Sequence, residues 1–67
     1  MSIAKIIEIS SVSEKGFEDA VVQGIARASK TIENIRSAWI KEQRVDVVNG
    51  RVKNYQVNMQ VTFVLND

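Results

Sequence analysis

The chain has 67 residues, no cysteine or histidine, and nine lysine and arginine residues against eight aspartate and glutamate residues, a net charge of +1. A single domain of this length has a marginal core, and such domains depend on disulfides, a structural metal or association. The missing cysteine and histidine exclude a disulfide framework and a Cys/His zinc site, so association is expected. Balanced charge argues against a nucleic-acid surface, and no apolar run approaches a membrane span of ~20 residues. Without a recognisable signal peptide, we expect a cytoplasmic protein.

The first half of the chain predicts a strand followed by an amphipathic helix. β-Branched residues dominate residues 3–10, which indicates the first strand. The helix has two candidate caps, Ser13 and Ser11, the latter with a glutamate at capping-box spacing. The helix is predicted to run for roughly five turns and to end near Asn34. Gly24 within it costs about 1 kcal/mol relative to alanine, so a close approach to the sheet is expected there. The apolar stripe at helical spacing comprises Phe17, Val21, Ile25, Ala28 and Ile32.

The second half of the chain predicts a β-hairpin. Asn49-Gly50 is a strong signal for a two-residue turn, because a type I′ turn needs positive φ at both central positions. The turn joins residues 35–48 to residues 51–65, and the second of these arms alternates clearly between apolar and polar side chains. The sequence therefore predicts one α+β domain over residues 1–67 with the order β-α-β-β.

A two-residue turn sets the hairpin register, and the register assigns each side chain to one face of the sheet. The face under the helix is predicted to carry the pairs Ala38/Val61, Ile40/Met59 and Arg44/Tyr55. The opposite face is predicted to carry Ser37/Thr62, Trp39/Gln60, Lys41/Asn58 and Gln43/Gln56. The only tryptophan in the sequence thus lies on the helix-free face, among amide side chains.

Trp39 on that face has two interpretations. An exposed indole beside amides suits a planar heterocycle that stacks on the ring while Gln56 or Gln60 hydrogen-bonds its edge. Alternatively, another subunit covers this face and Trp39 packs in the interface.

Enzymatic chemistry has little support in the sequence. Without histidine and cysteine, no general base stands at a recognisable spacing from the serine hydroxyls, which helix capping explains better. The acidic residues that precede and open the helix offer oxygens to calcium but match no EF-hand loop, so we interpret them as a solvated helix start. These acidic residues are Glu14, Glu18 and Asp19.

The element order, the length and two segments, GIARA at residues 24–28 and YQV at residues 55–57, resemble the dodecin family over residues 3–65. The resemblance implies a three-stranded antiparallel sheet wrapped around one helix, assembled into a hollow homododecamer. It also implies a non-catalytic protein that stores or sequesters a flavin, such as riboflavin or FMN. In the family, flavins stack in pairs between tryptophans at subunit junctions.

The resemblance also implies site residues. Gln56 matches the family's glutamine that hydrogen-bonds the pyrimidine edge of the isoalloxazine, and Arg44 matches an arginine near the ligand mouth that helps hold a phosphate or the ribityl chain. Ser37 occupies the position of the family's stacking tryptophan. Trp39 lies two residues further on, on the same face but about 6.5 Å along the strand. We expect Trp39 to stack on the flavin, with the other three residues around it.

Ser37 at the stacking position also supports an alternative. A branch of the family without that tryptophan is similar around residues 34–36 and 42–43, and its members are linked to calcium. The alternative is a flavin-less cage with a structural or calcium-binding role, whose metal ligands the sequence does not identify. The sequence also leaves open whether a phosphate-bearing cofactor such as coenzyme A binds to the arginines.

Overall fold

Three strands and one helix account for most of residues 3–65, which are the residues described by the structure, a computed structural model. The three strands form one antiparallel sheet in the order β1-β3-β2, so β3 is central. This arrangement confirms the predicted α+β fold. Within the described residues, no helix is long and apolar enough to cross a membrane. The elements are β1 (Ala4–Ser13), α1 (Phe17–Ala28), β2 (Ile35–Val48) and β3 (Arg51–Val64).

The core lies between α1 and the sheet, on the alternate residues of the central strand. Val57, Met59 and Val61 are fully buried together with Ala20 of α1. The helix packs on β1 and β3, whereas β2 is exposed along most of its length. Consequently one edge of the sheet lacks cover on both faces in the single chain.

Gly24 lies where the helix approaches the sheet, as the sequence predicts. A Cβ atom at this position would stand 2.6 Å from Met59 Cε and 3.0 Å from Ser11 Cβ. These distances are well inside van der Waals contact, so the separation of helix and sheet depends on the missing side chain.

Both predicted ends of the helix need correction. The helix ends at Ala28 rather than near Asn34, and the following residues form turns. Asn34 adopts a positive φ of 63°, and its carbonyl accepts a hydrogen bond from Val64 N, so the chain turns here to begin β2. At the other end the N-cap is Gly16, without a side-chain cap, because Ser11 and Ser13 extend β1 instead.

Ser13 has a different role from the predicted cap. Its buried Oγ donates to Asp19 Oδ2 at 2.6 Å and accepts from Lys15 N at 2.9 Å, so it ties β1 to the first turn of α1. We expect Ser13→Ala to lower the free energy of unfolding by about 1–2 kcal/mol, because a partly buried hydrogen bond to Asp19 is lost and Lys15 N loses its partner. Urea denaturation measures the change. Ser29→Ala, which removes an exposed hydroxyl, is the control and is expected to change little; equal losses would contradict the prediction.

The hairpin turn forms as predicted. Asn49 and Gly50 have φ values of 52° and 74°, as a type I′ turn requires. Val48 pairs with Arg51 beside the turn. Four predicted pairs are confirmed further along the strands: Ala38/Val61, Ile40/Met59, Ser37/Thr62 and Trp39/Gln60.

Two of the three register shifts between β2 and β3 change the pairing predicted for the middle of the hairpin. Lys53 is the extra residue of the first shift and Lys41 of the second. Each extra residue moves the pairing by one position, so the faces change after the first bulge and are restored after the second. The predicted pairs Arg44/Tyr55, Lys41/Asn58 and Gln43/Gln56 are therefore wrong. The structure has Glu42/Asn58, Gln43/Val57, Arg44/Gln56 and Val45/Tyr55 instead.

Candidate functional site

The helix-free side of the sheet carries a row of polar side chains along β3. These residues alternate with the buried ones of the core and therefore point away from α1. Their partners on β1 and β2 share this side, which we call the open face. On β3 the open face comprises Gln56, Asn58, Gln60 and Thr62.

Trp39 lies on the open face, as the sequence predicts. It pairs with Gln60, whose partner on the other side is Glu8. The indole is 46% exposed, and two apolar side chains of β1 on the same face, Ile6 and Val12, are also exposed. An aromatic ring left half in water beside amide groups offers a flat surface for stacking.

The structure brings Arg44 and Gln56 together and separates them from Trp39. The bulge at Lys53 shifts the register set by the turn and places Arg44 directly opposite Gln56. Trp39 stands opposite Gln60, four residues along β3, a separation of about 13 Å. Ser37, opposite Thr62, lies further away still. The four predicted site residues thus share one face of the subunit but form two separate groups.

A chain of hydrogen bonds crosses the open face from β1 to β2. Gln56 Nε2 donates to Ser10 Oγ at 2.9 Å and to Asn58 Oδ1 at 3.1 Å. Asn58 Nδ2 in turn donates to Glu42 Oε1 at 3.2 Å. We call these four residues the amide chain. The sequence did not predict this chain, because Glu42 comes opposite Asn58 only through the bulge at Lys53.

Two ion pairs flank the amide chain. Lys41 Nζ reaches Glu8 Oε1 at 3.1 Å, and Arg44 Nη2 lies 2.9 Å from Asp46 Oδ1. Because these side chains are about half exposed, each pair adds little stability. The guanidinium that was expected to hold a phosphate or ribityl chain is therefore engaged by a carboxylate of its own strand.

The acidic residues at the helix start do not form a metal site in the single chain. Asp19 accepts the hydrogen bond from Ser13, while Glu14 and Glu18 are exposed. Among residues 3–65, no three histidine, cysteine, aspartate or glutamate side chains cluster so as to hold a metal ion.

Comparison with known proteins gives full-length matches. The family model described as Dodecin matches residues 3–66. A dodecin of Thermus thermophilus is 35% identical over 97% of this chain and 94% of its own length. A calcium dodecin of Mycobacterium tuberculosis is 30% identical over 94% of this chain and 89% of its own. Among solved structures, a dodecin from Streptomyces davaonensis superimposes with a TM-score of 0.94 at 30% identity, covering 98% of this chain and 97% of that one.

Proposed function

The chain belongs to the dodecin family, and on that basis we propose that it is a non-catalytic flavin-binding protein. In this proposal it stores or sequesters riboflavin or FMN in the cytoplasm as a hollow homododecamer. The observation that carries the proposal is Trp39, a half-exposed indole on the open face beside a row of amides. Such a surface is suited to a planar heterocycle with a polar edge.

In the proposed complex Trp39 stacks on the isoalloxazine, and Gln56 hydrogen-bonds its pyrimidine edge. The two side chains lie about 13 Å apart along the sheet of one subunit. We therefore assign the indole and the glutamine around one flavin to different subunits. Arg44, opposite Gln56, and Ser37, two residues before Trp39, then border the same junction.

Self-association would also bury the exposed apolar surface of the hairpin. β2 is not covered by α1, and its apolar side chains and those beside the turn remain in water in the single chain. An apolar surface of this kind on a marginal domain supports burial against further copies. Besides Trp39, the exposed large apolar residues of β2 and β3 are Ile40, Val45, Val47, Val48 and Val52.

Flavin titration tests the proposed function. The wild type is expected to quench riboflavin or FMN emission and to co-migrate with the flavin on gel filtration. Trp39→Ala should weaken binding about tenfold or more, because stacking on one aromatic side chain contributes about 1–3 kcal/mol. Val22→Ala, at an exposed position of α1, is the control and should bind as the wild type. Unquenched emission without co-migration would reject the proposal.

The second candidate is a flavin-less cage with a structural or calcium-binding role. It is favoured by Ser37 at the position of the stacking tryptophan and by the 30% identity to a protein named calcium dodecin. Calorimetry separates the two candidates: heat on calcium addition, with none on riboflavin addition, would favour the second. If neither titration produced heat, a purely structural cage would be the remaining candidate.

A further inference from the structure

The hydrogen-bonding polarity of Gln56 is set by its neighbours. A glutamine amide has two N–H donors and one carbonyl acceptor. Both donors are used, one by Ser10 Oγ and the other by Asn58 Oδ1. Gln56 therefore has no free N–H donor for a ligand on the open face. It can offer only its Oε1 atom, as a hydrogen-bond acceptor.

This orientation can be traced along the amide chain to Glu42. An ionised carboxylate only accepts hydrogen bonds, so Asn58 must turn its NH₂ group towards Glu42. Asn58 then presents its carbonyl oxygen to Gln56, which must donate in return. Glu42 thus orients the Asn58 amide, and Asn58 orients the Gln56 amide. The carboxylate is the only one of these three groups that cannot exchange donor for acceptor.

We propose that Glu42 is a positioning residue that makes the site selective for flat heterocycles with an N–H donor in the edge read by Gln56. The inference rests on the proposed function. The isoalloxazine has such a donor, the imide N–H of its pyrimidine ring, between two carbonyl groups. A ligand that has only acceptors along this edge meets the Gln56 acceptor instead and loses the hydrogen bond.

Binding of riboflavin and 3-methylriboflavin, in which a methyl group replaces the imide hydrogen, tests the inference. The wild type is expected to bind riboflavin at least tenfold more tightly, because the methylated ligand leaves Gln56 Oε1 unpaired. The methyl group also adds a steric cost in every variant, so the informative quantity is the ratio of the two dissociation constants across variants.

Glu42→Lys replaces the acceptor with a donor and is expected to reverse the amide chain. Asn58 then turns its carbonyl towards Lys and its NH₂ towards Gln56, which presents its own donors to the ligand. The ratio should fall at least threefold from the wild-type value. Glu42→Gln, which both donates and accepts, should give an intermediate ratio and carries the same test if the lysine variant does not assemble.

Glu14→Lys is the matched control, since it makes the same charge change at an exposed position outside the sheet. Its ratio should equal that of the wild type. A wild-type ratio near one, or ratios unchanged in both Glu42 variants, would overturn the inference while riboflavin binding still upheld the proposed function. A wild type that binds no riboflavin would instead overturn the proposed function, and with it this inference.

Discussion

Met59→Ala is expected to lower the free energy of unfolding by about 2–5 kcal/mol, the largest effect of any single truncation that we predict. Met59 lies on the helix side of the central strand and is fully buried. Its removal takes away buried apolar area and leaves a cavity between two rigid elements, which can close only in part. Urea denaturation measures the change, at a fixed protein concentration because any self-association would add to the apparent stability.

Met59→Leu is the matched control for this position. It conserves most of the volume and should cost less than about 1.5 kcal/mol. If the alanine variant lost no more stability than the leucine variant, the core would not be centred on this side chain. Loss of assembly in the alanine variant alone would agree with a core that shapes the subunit surface.

Much of the fold could be predicted because its strongest signals are local. The Asn49-Gly50 turn fixes the start of the register, and the alternation along β3 identifies the buried face. Trp39 was assigned correctly because its pair with Gln60 lies beyond the bulges at Lys53 and Lys41, where the two shifts cancel. The predicted helix was too long because the apolar stripe continues through Ile32, whereas the chain already leaves the helix after Ala28 in turns at residues 29–31.

The bulges were missed even though the sequence contains a signal for them. Along β2 the apolar residues of the helix side occupy even positions at Ala38 and Ile40, then odd positions at Val45 and Val47. Side chains alternate with a period of two, so a change of parity within one strand indicates an inserted residue. The amide chain depends on this insertion. Hydrogen bonds between long polar side chains are a property of the folded sheet and are not encoded by spacing alone.

Gly24→Ala is expected to lower the free energy of unfolding by about 1–3 kcal/mol, the cost of overpacking a tight core. The sign of this stability change is informative, because alanine is the better helix former by about 1 kcal/mol and would stabilise a helix that packs against nothing. Here the new Cβ would lie 2.6 Å from Met59 Cε and 3.0 Å from Ser11 Cβ. The helix must therefore move away from the sheet, or the buried methionine must leave its position.

A double-mutant cycle with Met59→Ala separates the cost of the contact with Met59 from the cost of the contact with Ser11. Truncation of Met59 removes the atom closest to the new Cβ, so Gly24→Ala should cost at least 1 kcal/mol less in that background than in the wild type. Any cost that remains then measures the contact with Ser11 Cβ, which belongs to the sheet and cannot swing aside. Strictly additive effects would contradict this account and would mean that the glycine serves the helix backbone rather than its approach to the central strand.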